Sequence, residues 1–239
     1  MRTITQHFDH AASQYDKSAS LQERVAQHLV EGVAPDFSPQ TILDLGCGTG
    51  FVTQAVHRVW PKAELTALDA SPAMLAEVQR KIPHIQTMHA DVTQASFEPS
   101  FDLIFSSMML QWLSDPHAAL LRWRGWLKPK GGMHIAVPVE GSFAEWIATC
   151  RVYDIENGLW LLPKANFADG IAAHTDMQIM TKTYSSVWDF LRQLKSIGAA
   201  TPRPGHRPGN IVAFRRLLEG APRPFSVSYH MLYLKHFAS

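Results

Sequence analysis

The sequence predicts an α/β fold. Its expected form is a doubly wound, mostly parallel sheet of seven strands with an antiparallel last strand, two helices in front, and a helical insertion after strand five. Three observations carry this. First, Leu43-Asp44-Leu45-Gly46-Cys47-Gly48-Thr49-Gly50 joins an apolar run to a helix-forming run through a loop with glycine at alternate positions. Second, strand-like and helix-like runs alternate as far as Val137, in units of about thirty residues, as in a parallel sheet with crossover helices. Third, Ser226 to His236 alternates Val227, Tyr229, Met231 and Tyr233 with Ser226, Ser228, His230 and Leu232, the period-two signature of a strand.

Each element has a local reason. Phe8, Ala11, Ala12 and Tyr15 lie on one helical face, and Leu21, Val25, Leu29 and Val33 repeat the pattern, so residues 1–34 read as two helices. Pro35, Phe37, Ser38 and Pro39 form a linker. Thr41-Ile42-Leu43 is a short buried strand, Phe51 to Val59 a helix, and Ala63 to Leu68 a second strand ending at Asp69. Ser71-Pro72 offers an N-cap and a proline at the first helical position for a helix over Ala73 to Lys81, which Pro83 stops. Ile85 to His89 is the third strand, and Phe101 to Phe105 the fourth, apolar enough to be covered on both faces. Asp115-Pro116 caps a helix to about Leu127, and Pro129 with Gly131-Gly132 turns the chain into a fifth strand, Met133 to Val137. Phe143 to Leu162 reads as an aromatic-rich helix opening an insertion that runs to Asp176. Gln178 to Tyr184 is the sixth strand, and Ser186 to Ile197 and Ile211 to Leu218 are helices ended by Gly198 and Gly220. One domain over 1–239 results: a helical leader (1–34), which the resemblance given below implies to be a lid, a ligand-binding core (40–137), an insertion (141–176) and C-terminal strands with basic helices (178–239).

Composition narrows the function classes. Apolar residues make up 46% and charged residues 18%, the balance of a globular chain with a large core. Two cysteines, one of them inside the glycine loop, make no disulfide framework and point to a reducing, cytoplasmic setting. The polar start (Arg2, Thr3, Thr5, Gln6, His7) lacks a signal-peptide core, and no run reaches the roughly 18 apolar residues of a membrane span, so no membrane role is expected. The 12 histidines show no His-Glu-x-x-His spacing, and no metal is expected. The net charge of +1 hides an asymmetry: Phe190 to Ser239 holds eight lysines and arginines against one acid, Glu219. That segment therefore carries +7 and the rest of the chain −6, which suits an acidic partner or a solvated face.

The glycine loop has Gly-x-Gly-x-Gly spacing and an acid, Asp44, just before it. A dinucleotide loop would show Gly-x-Gly-x-x-Gly over a diphosphate and a second half-site for nicotinamide. The stretch instead resembles the first motif of class I S-adenosylmethionine (SAM)-dependent methyltransferases, which implies their Rossmann-like seven-stranded sheet. SAM carries an ammonium and a sulfonium rather than phosphate, and a carboxylate beside the loop suits its amino-acid tail. Ligands of open α/β sheets lie beyond the carboxyl ends of the strands. The cofactor set is therefore Asp44, Gly46, Cys47 and Gly48 in the loop, Asp69 and Ala70 after strand two, Asp91 and Val92 after strand three, Met74, Ser106 and, from the lid, Gln22. In this set Asp69 accepts from the ribose diol, Asp91 accepts from the adenine amino group, and Met74 and Val92 sandwich the ring. Cys47 is a small loop filler.

Three blocks narrow the resemblance. They are Phe8-Asp9-x-Ala11-Ala12-x-x-Tyr15-Asp16 with Ala19-x-Leu21-Gln22, Phe101-Asp102-Leu103-Ile104-Phe105-Ser106 with Leu110-Gln111-Trp112, and Tyr184-x-Ser186-Val187-x-x-Phe190-Leu191-x-x-Leu194-Lys195-x-Ile197-Gly198-Ala199. Together they resemble the malonyl-acyl-carrier-protein O-methyltransferases of biotin synthesis. The resemblance implies SAM as cofactor, S-adenosylhomocysteine as product, and an acidic acyl carrier protein bearing malonyl-phosphopantetheine as partner, with no nucleic acid. A carboxylate with a pKa near 4 is already ionised at neutral pH, so no general base is expected. Tyr15, Gln111, Trp112, Arg203 and Arg207 are the candidates for positioning the substrate. Three other readings stand beside this one: a methyltransferase of a free small acid of the trans-aconitate type, a nucleic-acid methyltransferase, and a non-catalytic SAM-fold assembly factor. The nucleic-acid reading is disfavoured by the lack of an Asn-Pro-Pro-Tyr-like motif, and the assembly factor by the intact Asp44, Gly46, Gly48 and Asp69.

Overall fold

A computed structural model describes residues 4–207 and 209–238; residues 1–3 of the expected lid, Pro208 and Ser239 lie outside the described residues. Two helices, α1 (Ile4–Ser18) and α2 (Ser20–Glu31), precede β1 (Thr41–Leu45). The helix α3 (Phe51–Val59), β2 (Glu64–Asp69), α4 (Pro72–Lys81) and β3 (Gln86–His89) follow. After them come β4 (Phe101–Ser107), α5 (Pro116–Arg124), β5 (Leu127–Pro138), α6 (Ala144–Val152), β6 (His174–Tyr184), α7 (Val187–Ser196), α8 (Ile211–Gly220) and β7 (Phe225–Phe237). The seven strands form one sheet in the order β3-β2-β1-β4-β5-β7-β6. β1 pairs in parallel with both β2 and β4, while β7 runs antiparallel between β5 and β6. The winding direction reverses between β1 and β4, and this switch point opens a crevice beyond the carboxyl ends of those strands.

The central strands are buried on both faces. Ile42, Leu103, Phe105 and Ala136 face one way, against Val25, Leu29, Val52 and Val56 of α2 and α3. Leu43, Leu45, Ile104 and Ile135 face the other way, against Leu120 and Trp123 of α5. Each such aliphatic or aromatic side chain contributes about 1.5–3 kcal/mol on burial, which makes these strands a rigid platform for what projects from their ends. The two expected caps are present: the Ser71 hydroxyl accepts from Met74 N at 3.1 Å and Asp115 from Ala118 N at 2.9 Å; Ser186, read as the first helical residue, instead caps α7, accepting from Asp189 N at 3.3 Å.

Two expected helices end early, β5 starts at Leu127 rather than Met133, and β6 starts at His174 rather than Gln178. The helix read over Phe143 to Leu162 ends at Val152: Asp154 takes φ 52° and Gly158 φ 71°, and the Asn157 side chain accepts from Leu159 N at 2.9 Å. The aromatic spacing hid these turn-forming residues, and residues 153–173 form an irregular segment up to β6. α5 stops at Arg124, three residues short of the expected end, because Leu127 already pairs with Phe101 in β5. The register shift between Phe101 and Leu103 absorbs the Lys128-to-Gly131 turn, where a Cβ on Gly131 would stand 2.9 Å from the Lys128 carbonyl oxygen. Among the described residues no helix is long and apolar enough to cross a membrane.

Candidate active site

The glycine loop leaves β1 with Gly46, Gly48 and Gly50 at φ 65°, 54° and 90°, a region that side chains disfavour. The Gly46 and Cys47 amides donate to the Leu68 carbonyl at 2.8 and 3.0 Å, which ties the loop to β2. The first two glycines serve different ends. A Cβ on Gly46 would lie 2.2 Å from Met109 Cγ, so that glycine makes room for the chain leaving β4. A Cβ on Gly48 would meet no protein atom within 4 Å and would project into open space.

That space belongs to a cavity of about 290 Å³ at the switch point. Its lining brings together Gln22, Asp44, Gly46, Cys47, Gly48, Asp69, Ala70, Met74, Asp91 and Val92 from the expected cofactor set, with Tyr15 and Trp112. Asp44 is buried, accepts from the Thr53 hydroxyl at 2.6 Å, and has its pKa pushed up to about 7 by burial, with Asp69 adding to the rise. Asp69 accepts from Gly48 N at 2.9 Å through one oxygen and from Ser71 N at 2.8 Å through the other. It thus braces the loop against the start of α4, and each oxygen keeps a lone pair for a diol. Burial raises its pKa while those two amides oppose the rise. Asp91 lies two residues beyond β3 and accepts from Thr93 N and the Thr93 hydroxyl, both at 2.8 Å. Met74 and Val92 are buried in the wall, as a ring sandwich requires. Ser106 is a correction: its hydroxyl donates to the Leu45 carbonyl at 2.9 Å inside the sheet, and Ser107 reaches the cavity instead. Side chains alternate along a strand, so the expected site missed by one residue.

α1 closes over this cavity through two acids to which the sequence reading assigned no role. Asp9 accepts from the Ser71 hydroxyl at 2.5 Å and from Ala73 N at 3.3 Å. Asp16 accepts from the Thr49 hydroxyl at 2.6 Å and pairs with Lys81 at 2.5 Å. The lid is thereby fastened to the glycine loop and to both ends of α4. Their recurrence at the edges of the Phe8-to-Asp16 block was the available signal. Gly198 (φ 72°) lets α1 pack closely, since a Cβ there would stand 2.9 Å from Phe8 Cδ1.

A second cavity of about 400 Å³ adjoins the first, and Phe8, Tyr15, Gln22, Met108 and Trp112 line both. Its other walls are largely apolar: Phe143 and Trp146, Leu159 and Trp160 from the irregular segment, Leu191 and Leu194 of α7, and Ile197 just past its end. Trp112 sits edge-on between Phe8 and Trp160, with ring centres 5.7 and 5.9 Å away. Burial, then Asp69 and Asp16, push the Tyr15 pKa upward, so its hydroxyl stays a neutral donor at neutral pH. Gln111 lines this cavity and donates to the Met108 carbonyl at 2.6 Å. Arg203 and Arg207 are not in the lining of either cavity. The Arg203 guanidinium pairs with Glu156, and the Arg207 amide donates to the same carboxylate at 3.1 Å while its side chain is exposed. Glu156 also lies 3.4 Å from the ring of His206, which does line the cavity and which the sequence reading missed. The proline-rich loop hid this because its partner stands some fifty residues earlier.

The arrangement fits SAM: an acid at the loop for a cationic tail, a glycine whose missing Cβ leaves room, an acid for a diol, and apolar walls for a ring. A methyltransferase-domain model matches residues 42–131, which supply the walls of this cavity apart from those given by α1 and α2. The chain is 33% identical to a malonyl-[acyl-carrier protein] O-methyltransferase of Halorhodospira halophila, over 90% of this chain and 77% of that protein. It is 34% identical to the biotin biosynthesis bifunctional protein BioCD of Bordetella avium, over 97% of this chain, and spans about half (51%) of that longer protein. The fold is similar to that of coclaurine N-methyltransferase bound to N-methylheliamine and S-adenosylhomocysteine (TM-score 0.55, 15% identity, 91% of this chain and 70% of that one). By its identity to the Halorhodospira protein over most of both chains, the chain belongs to the malonyl-[acyl-carrier protein] O-methyltransferase family of SAM-dependent methyltransferases.

Proposed function

We propose that the chain methylates the free carboxylate of a malonyl thioester carried on an acyl carrier protein. The observation that carries this is the pair of joined cavities, one with acids at the strand ends and one largely apolar and aromatic, meeting at Tyr15, Gln22 and Trp112. Bound SAM supplies an electrophilic methyl group on a sulfonium. The chain's part is to bring an anion to that methyl and keep water away. Tyr15 and Gln22 stand on the shared wall with polar tips suited to orient a carboxylate, and Phe8 and Trp112 screen it from solvent. No proton has to move, because a carboxylate with a pKa near 4 is already ionised at neutral pH. Positioning of this kind can supply up to about 7–11 kcal/mol of the barrier. The apolar second cavity accommodates an acyl-thioester arm better than a small, doubly charged free acid, which would lose hydration there with no lysine or arginine among the described lining residues.

The test is methyl transfer from labelled SAM to malonyl carrier protein, malonyl pantetheine, free malonate and trans-aconitate. Turnover of the two thioesters with little on the free acids is expected. Turnover of the free acids alone would select the small-acid reading, and SAM binding without turnover of any acid would select the assembly factor.

A further inference from the structure

The eight cations of the C-terminal segment are not equivalent in the fold. Arg203 is held by Glu156, Arg192 lies 3.7 Å from Asp189, Lys235 donates to the Gly32 carbonyl at 2.7 Å, and Arg223 donates to the Leu218 carbonyl at 3.2 Å. Among the described residues Lys195, Arg207, Arg215 and Arg216 are exposed and form no ion pair, and the last two stand side by side on α8. One turn before them on the same face stand Ile211 and Val212, 76% and 53% exposed. Apolar side chains left this open beside unpaired arginines are costly to hydrate and suit an acidic, amphipathic surface. The loop before α8 leads to the second cavity: Ala199, Ala200, Thr201, Pro202 and His206 line it, and Ala200 is also exposed, so the loop forms part of its rim.

We infer that the exposed face of α8, formed by Ile211, Val212, Arg215 and Arg216, docks an acidic surface of a carrier protein and sets its thioester arm at this rim. The inference rests on the proposed carrier-bound substrate and assigns it a surface. Charge supplies the long-range attraction, screened beyond about 8 Å at physiological salt, and the two apolar side chains supply the short-range contact.

The experiment compares kcat/KM for malonyl carrier protein and malonyl pantetheine in wild type, R215E/R216E, I211S/V212S and, as a control on another helix, R192E. Both α8 variants should lose roughly tenfold or more with the carrier protein and less than twofold with pantetheine, whose unchanged turnover shows that the fold is intact. R192E should stay near wild type. An α8 double variant that keeps wild-type kcat/KM on the carrier protein overturns the docking face, as does an equal loss in R192E, which would mark a general charge effect. Loss of binding to anionic phospholipid vesicles in the α8 variants, with carrier turnover unchanged, would assign the face to a membrane surface and also overturn it. If wild type turns over pantetheine or free malonate but not the carrier protein, it is the proposed substrate that fails.

Discussion

The two cavities share a wall but are built in opposite ways. The first is assembled from one stretch of backbone and the ends of neighbouring parallel strands: the loop after β1, Asp69 after β2, and Asp91 beyond β3. Its polar groups are held by short bonds, Asp44 by Thr53 and Asp69 by Gly48 and Ser71. The second is a space between side chains of α1, the segment after α6, and α7, walled by aromatic and aliphatic groups. A site braced by backbone amides keeps its geometry and suits an invariant cofactor. A site made by packed side chains can be reshaped by single substitutions and suits the variable partner of the reaction.

The sharpest way to break this contrast is Gly48→Val. Because a Cβ there meets no protein atom within 4 Å, the cost should fall on the ligand: SAM affinity lost by a hundredfold or more in calorimetry, about 2.7 kcal/mol. Thermal stability should drop only by the roughly 1–2 kcal/mol of left-handed strain. Undiminished SAM binding would show that the space beside Gly48 is not the ligand's.

The second cavity is probed by Trp160→Ala, which removes a ring packed on Trp112 and a hydrogen bond to the Thr201 carbonyl at 2.9 Å. KM for malonyl pantetheine should rise about tenfold while the SAM dissociation constant stays within twofold, since Trp160 itself lines the second cavity and not the first. An equal loss in both would mean that the cavities act as one site.

The smallest effect expected is in pH. Asp44 has its pKa near 7 in the ligand-free fold, so below that pH it is mostly protonated and offers a cationic tail no ion pair. SAM affinity should therefore rise several-fold from pH 6 to pH 8, and Asp44→Asn should flatten the profile. The same shift, from an ordinary value of 3.8, favours the ligand-free fold at low pH, and that advantage is lost as pH climbs to about 7. The gain in Tm on adding SAM should accordingly widen with pH. A pH-independent wild-type affinity would place the ligand's ammonium away from Asp44.

By itself the sequence determined the order and kind of the elements, the glycine loop, and the acids that close the strands. Those signals are local: alternation at periods of 2 and 3.6, caps such as Ser71 and Asp115, and glycines where φ is positive. Ser106 was misplaced by one residue because which face of a strand meets the crevice depends on the neighbouring strands. The end of α6 was missed because apolar periodicity outweighed Asp154, Asn157 and Gly158. Only the tertiary structure decided that Asp9 and Asp16 fasten α1 over the first cavity, that Glu156 holds Arg203 out of the lining of the second, and that Arg215 and Arg216 stand exposed on α8. A carboxylate's partner is set by which side chains the fold brings within about 3 Å, and for these groups the chain runs dozens of residues before it returns.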